Sequence, residues 1–205
     1  MLILYSVGAG KTQLMAHVIN KFCQSPSEDA LAYFYCNRNE ASRSNPANVL
    51  RSLVKQLAIS TVDKNLHHAL VNKYREKKLS GFLSAQLSNE ESEHLLLSMA
   101  AAYKRTTFII DALDECERSS RIELIDALNR LVKEVSGLKV LISSRRDDDL
   151  RRKLQDGAKL EIDATKNQDD IQKFVLTKLN ERHKPFSTEL QNDIINTLHE
   201  KSHGM

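Results

Sequence analysis

Cysteine is scarce in this chain, three in 205 residues, and Cys23, Cys36 and Cys116 show neither an even count nor C-x-x-C spacing. That argues against a disulfide framework and reads as free thiols in a reducing compartment, so a cytoplasmic (or nuclear) location is expected. Cys23 and Cys36 read as small core residues. Cys116, beside two acids, reads as partly exposed, with no base to pair with it. No apolar run approaches the ~18 residues that span a bilayer, so no membrane span is expected. Met1-Leu-Ile-Leu4 is too short for a signal peptide and lacks a basic leader. There is no large charge excess either. A net charge of +3 gives no electrostatic footprint for nucleic acid, and no such partner is expected. The run Lys73–Lys78 contains Glu76 and reads as a solvated helix end. The histidines lack metal-ligand spacing. His67 and His68, being adjacent, should point in different directions on a helix, in surface or structural roles.

What remains is an ordinary globular composition, 41% hydrophobic and 28% charged, long enough for one α/β domain or one domain and part of a second. Short apolar runs alternate with helical stretches, without an internal repeat. The runs are Leu2–Leu4, Leu31–Cys36, Phe108–Ile110, Val140–Ile142 and Leu160–Ile162. Most are continuously apolar, as strands covered on both faces are; the last alternates, as an edge strand does. Between them, Thr12–Phe22 puts Leu14, Val18, Ile19 and Phe22 on one helical face, and Asn48–Ile59 does so with Val49, Leu50, Leu53, Val54 and Leu57. Ser88-x-x-Glu91 and Ser120-x-x-Glu123 read as capping boxes, and Gly137 suits the position past a helix end. The segment from about Asp63 to Leu87 looks helical and polar, with a break at Leu79–Phe82. The expectation is a three-layer α/β fold, a mainly parallel five-stranded sheet between helices. Residues 1–164 would form its core and 165–205 a helical segment beginning a lid.

Three segments carry chemistry. In Gly8-Ala-Gly-Lys-Thr12, glycines let backbone N–H groups turn toward a phosphate. Lys11 would reach the β- and γ-phosphates and the Thr12 hydroxyl would ligate Mg²⁺. The next helix directs its N-terminus at the anion; Gly8, Ala9, Gly10, Lys11, Thr12 and Gln13 are thus the candidate nucleotide-binding residues. Tyr5 stands where the G-x-x-x-x-G-K-[ST] pattern has its first Gly, and a bulky residue held there at positive φ would cost ~1–3 kcal/mol. About 100 residues on, Phe108–Asp111 is an apolar strand ending in an acid. Asp111 would sit at the carboxyl edge of the sheet, where parallel α/β folds bind ligands, and hold Mg²⁺. Asp114 and Glu115 follow, either of them able to orient or deprotonate an attacking water. In Lys139–Arg145, a strand again ends in polar groups. Arg145 can contact a γ-phosphate or pair with Asp147–Asp149; for Arg146 the pairing is expected.

Together these segments resemble the NACHT domains of STAND-type P-loop NTPases, especially the nephrocystin-like domains of fungal proteins. The resemblance rests on Gly8–Thr12, on Leu31–Cys36 with Asn48–Leu57, on Asp111-Ala-Leu-Asp-Glu115 and on Val140–Arg145. It implies a nucleotide-controlled signalling switch that holds ADP at rest, exchanges it for ATP and self-associates or binds protein partners. Weak Mg²⁺-dependent hydrolysis goes with this, and GTP or GDP is not excluded as the nucleotide. Relative to that family the chain has almost nothing before its first strand and stops at His203–Met205, before the expected lid and winged-helix region, so a fragment cut short at both ends is expected. The alternative is a non-catalytic interaction module or truncated fragment with a decayed P-loop.

Overall fold

A computed structural model describes residues 2–5, 10–24, 29–59, 64–81, 86–145, 147–154, 157–161, 168–181 and 186–202. The apolar runs form strands β1 (Leu2–Tyr5), β2 (Ala30–Tyr35), β3 (Thr106–Asp111), β4 (Leu138–Ser144) and β5 (Ala158–Glu161). The hydrogen-bonded order is β2-β3-β4-β1-β5, and each neighbouring pair is parallel. The helices are α1 (Lys11–Gln24), α2 (Ala41–Ser44), α3 (Pro46–Leu57), α4 (His68–Leu79), α5 (Asn89–Ala101), α6 (Arg118–Glu134), α7 (Asp148–Lys153), α8 (Gln168–Asn180) and α9 (Thr188–Ser202). A 3-10 turn, Leu113–Glu115, follows β3.

Strand alternation sends residues to two unequal layers. Ala30, Ala32, Phe108, Ile110, Val140 and Ile142 join the large core that α3, α5 and α6 cover, with Leu53, Leu96 and Leu128 fully buried. Each such side chain contributes about 1.5–3 kcal/mol. On the other face, among the described residues, Ile109 forms a smaller cluster with Met15 and Ile19 of α1, with Val18, Leu31, Tyr35 and Leu141 partly buried against it. The expectation of five strands between helical layers is corrected here. The helices surround a parallel arrangement of four strands, β2-β3-β4-β1. Among the described residues the fifth segment, β5, pairs only with β1, and all four of its residues are exposed, so it forms an exposed edge. Helix α1 is also rotated from the expected phase. Leu14 and Phe22 are exposed while Met15 is buried, because only one helical stripe can face the sheet.

Local signals are borne out unevenly. Ser88 caps α5 reciprocally with Glu91: its hydroxyl accepts from the Glu91 N–H at 3.1 Å, and its N–H donates to the Glu91 carboxylate at 2.9 Å. That N–H and the Lys77 ammonium hold the Glu91 carboxyl down at about 2. Ser120, by contrast, lies inside α6. The helix starts earlier, at Arg118 after Glu117, whose N–H donates to the Ser44 carbonyl at 3.0 Å. His67 is buried and caps α4 through Nδ1, with its ring stacked on His68 at 4.6 Å rather than turned away. Cys23 is exposed and Cys116 buried, the reverse of expectation. Tyr5 ends β1 in register with Ser144 and Glu161, so it continues an extended strand, and the left-handed strain considered for it does not arise. Helices α8 and α9 lie against each other, with Leu179 and Ile195 buried. No helix among the described residues is long and apolar enough to cross a membrane.

Candidate functional site

Parallel pairing places the carboxyl ends of β1, β3 and β4 side by side, and α1 begins beside them. Gly8 and Ala9 lie outside the described residues. Gly10 has φ +70°, a left-handed conformation open to glycine, and its carbonyl accepts the Leu14 N–H at 3.0 Å to start α1. The next two side chains face the end of β3. The Thr12 hydroxyl donates to Asp111 Oδ2 at 2.7 Å across 99 residues of sequence. The Ser143 hydroxyl donates to Asp111 Oδ1. Asp111 is thus a buried carboxylate held from both sides. Lys11 is partly buried beside it. Burial lowers the Lys11 pKa, opposed by Asp114 and Asp111 and reinforced by Arg145.

Beyond Asp111 the chain turns sharply. Ala112 has φ 55° and ψ 48°, a left-handed conformation uncommon outside glycine, and its N–H donates to the Ser143 hydroxyl at 2.9 Å. The 3-10 turn then presents Asp114 and Glu115 toward Arg145. The Arg145 N–H donates to Asp114 Oδ1 at 2.9 Å, and its guanidinium lies 3.7 Å from Asp114 and 3.8 Å from Glu115. Arg145 therefore pairs with the site acids and not with Asp147–Asp149. Asp147 takes Arg121 at 2.8 Å and Arg118 at 3.2 Å. Burial pushes the Asp147 carboxyl up, but these guanidiniums and the Asp149 N–H outweigh it and hold the group at about 2. The Arg121 guanidinium is itself buried. Among the described residues none of its N–H groups makes an aligned hydrogen bond, so charge attraction holds it. Arg146 lies outside the described residues.

A cleft of about 230 Å³ is lined by Gly10, Lys11, Thr12, Gln13, Asp111, Ala112, Asp114, Glu115 and Arg145, so the predicted residues that are described meet in one place. Asp114, Glu115 and Arg145 also line a neighbouring cleft of about 590 Å³ that reaches Arg38, Ser44 and Cys116. Two contributors escaped sequence reasoning. Ser143 is one of the two hydroxyls that end an apolar strand, a signal that was legible. Arg38, whose N–H donates to Glu115 at 3.3 Å and whose guanidinium lies 3.9 Å from Asp114, had none, because only the sheet order brings it there. The donors Thr12 Oγ1 and Asp111 are hard oxygens, side by side, and fit a Mg²⁺ ion that keeps several waters.

Known proteins bear on this arrangement in sequence and in fold. The vegetative incompatibility protein HET-E-1 of Podospora anserina is 24% identical over 185 residues, covering 85% of this chain and 13% of that protein. Among solved structures, the ORC1 protein of Aeropyrum pernix in complex with DNA has a TM-score of 0.61 at 15% identity, covering 98% of this chain and 49% of that one. A Walker-type ATPase of Pyrococcus abyssi scores 0.57 at 13% identity, covering 97% and 57%. Drosophila ORC bound to DNA scores 0.53 at 16%, covering 99% and 46%. The chain therefore spans a small part of the curated relative and about half of these structures. At such identities the likeness is one of fold alone. Two of the three were solved with DNA, so the expectation of no nucleic-acid partner is withdrawn. A net charge summed over the whole chain does not describe its local patches. The family described as nephrocystin 3, N-terminal, matches residues 1–145 of the 205, and the chain belongs to it.

Proposed function

We propose that this cleft binds the phosphates of a nucleoside triphosphate, ATP or ADP in the first instance and GTP or GDP as the alternative, and that the chain is a nucleotide-controlled switch module of the NACHT type. The observation that carries the reading is the 2.7 Å hydrogen bond from Thr12 to Asp111, beside Lys11. It joins a P-loop hydroxyl to a strand-end acid, as Mg²⁺–nucleotide binding requires. Thr12 and Asp111 would hold the ion. Mg²⁺, when bound, would supply the positive charge that offsets the charge of the phosphates. The N–H groups at Gly8–Gln13 and the Lys11 ammonium bind the phosphates, and Glu115 or Asp114 orients a water.

Arg145 supplies the switch. Its side chain is 58% exposed and sits 3.7–3.8 Å from two carboxylates, a pairing worth about 0–1 kcal/mol. A γ-phosphate, more highly charged and fixed in place, takes the Arg145 guanidinium from Asp114 and Glu115, which keep the Arg145 N–H and Arg38 as partners and become available to a water for slow hydrolysis. Residues 1–164 are assigned to the nucleotide-binding core and 165–205 to the opening of a helical lid, with self-association or a protein partner as the output. The test is thermal unfolding with Mg²⁺ and each of ATP, ADP, GTP and GDP, with Lys11→Ala alongside. Nucleotide at 100 times its Kd adds about 2.7 kcal/mol, some 5–11 °C for a chain of this size. A shift lost in Lys11→Ala is expected. A folded chain that shifts with none of the four refutes the reading.

A further inference from the structure

The nucleotide site leaves one pair of facing thiols unused, and the Cys116 contact together with burial pushes the Cys36 thiol up. Cys36 lies just past β2 and Cys116 just past the 3-10 turn, 5% and 4% exposed. The Cys116 thiol donates to Cys36 Sγ at 3.3 Å, across 80 residues of sequence. Their backbones are already tied. The Cys36 N–H donates to the Asp111 carbonyl at 3.0 Å and the Glu117 N–H to the Ser44 carbonyl at 3.0 Å. A disulfide bond is about 2.05 Å long, so the sulfurs need to approach by about 1.3 Å, within reach of side-chain rotation and a small movement of the turn. Cys116 lines the cleft of about 590 Å³, which gives a small oxidant its approach. Cys23, the remaining cysteine, is exposed on α1.

The geometry points to Cys36 and Cys116 as an oxidisable thiol pair, a modification site whose disulfide ties the turn carrying Asp114 and Glu115 to the end of β2. The oxidant is a hydroperoxide. The Cys116 sulfur attacks one peroxide oxygen of hydrogen peroxide and the O–O bond breaks, leaving a sulfenic acid on Cys116 and one water. The Cys36 sulfur then attacks the Cys116 sulfur. Its proton leaves with the sulfenic hydroxyl as a second water, and the S–S bond forms. The two thiols lose two electrons and two protons, and the peroxide is reduced to two waters. A dithiol reverses the step by exchange. Cys116 follows Glu115 directly, so closing the bond moves the acidic pair against Arg145. This consequence rests on the nucleotide reading; the bond itself does not.

The test uses the 205-residue chain carrying Cys23→Ser, titrated under native conditions with hydrogen peroxide, then alkylated and digested without reductant. Mass spectrometry should find a Cys36–Cys116 cross-linked peptide and an intact mass lower by two hydrogens, both reversed by dithiothreitol. Cys36→Ala should abolish the cross-link and let Cys116 proceed to sulfinic acid. If peroxide leaves both thiols alkylatable after unfolding, or drives Cys116 to sulfinic acid in the unmutated pair, the thiol-pair assignment is overturned. Nucleotide binding is measured on the same reduced and oxidised samples. A change in affinity of roughly fivefold or more is expected on oxidation. Unchanged affinity with the cross-link formed overturns the coupling alone. Absence of nucleotide binding in the reduced chain counts against the switch reading and leaves the cross-link result standing.

Discussion

Removing one oxygen, by Ser143→Ala, tests how the end of β3 is held. The Ser143 side chain is fully buried. It donates to Asp111 Oδ1 and accepts the Ala112 N–H at 2.9 Å, so truncation orphans an acceptor and a donor together. A hydrogen bond to a charged group contributes about 1.5–3 kcal/mol, and an unsatisfied buried N–H costs about 1–3. Asp111 keeps Thr12 as a donor, and the two losses share one relaxation, so the expected cost is about 3 kcal/mol and not their sum. For a chain of this length that is a fall of roughly 6–12 °C in Tm. Ser144→Ala is the control. Ser144 is equally buried, but among the described residues its hydroxyl makes one neutral bond, to the neighbouring Arg145 carbonyl at 2.7 Å, worth about 1 kcal/mol. The assay is urea and thermal unfolding of both variants by circular dichroism, without nucleotide. If Ser143→Ala loses no more than Ser144→Ala, the serine does not bracket Asp111 and the pre-formed carboxylate is refuted.

Three other outcomes are expected. Glu91 and Asp147, both held at about 2 against ordinary values of 4.5 and 3.8, contribute stability that is complete above about pH 4.5 and lost as pH falls toward 2; Glu91→Gln should flatten that decline in an acid-unfolding series. Arg121→Ala leaves Asp147 with the exposed Arg118 and the Asp149 N–H and should cost about 3 kcal/mol, while Arg121→Met with Asp147→Asn, which keeps the cap on α7, recovers most of it; a single-variant loss below ~1 kcal/mol in urea unfolding counts against the buried pair. Gly137→Ala meets both a positive φ of 86° and the Lys104 carbonyl oxygen 2.5 Å from the new Cβ, so it should lose about 2–3 kcal/mol. Gly81→Ala, at φ +78° with open space around it, should lose only about 1–2 kcal/mol, and equal losses in thermal unfolding would show that contact with Lys104 contributes nothing.

How much of this was legible in the sequence depends on whether a feature is fixed by local chemistry or by topology. Strands β2, β3 and β4 were readable because continuous apolar runs have no other stable place, and the Ser88 cap because its partner Glu91 is three residues away. The phase of α1 was not. Periodicity identifies an apolar stripe but not which neighbours exist to cover it, and among the described residues Met15 and Ile19 are buried while Leu14 and Phe22 stay exposed. The same division runs through the site. That Lys11, Thr12 and Asp111 meet was legible because the phosphate and Mg²⁺ chemistry proposed for them would restrict residue type and spacing. Arg38 and the Cys36–Cys116 contact were invisible because each depends on β2 lying beside β3, and although the Ser143 hydroxyl was legible, its pairing with Asp111 needed β4 beside β3. That adjacency gives Arg145 its partners as well. Three acids follow it in sequence, yet it pairs with Asp114 and Glu115 from the turn after β3. Asp147 is claimed by Arg121, which α6 buries. A buried guanidinium has no water to fall back on and takes the nearest carboxylate, so the exposed Arg145 is left to the weaker, exchangeable pair, and an exchangeable pair is what a phosphate-operated switch needs.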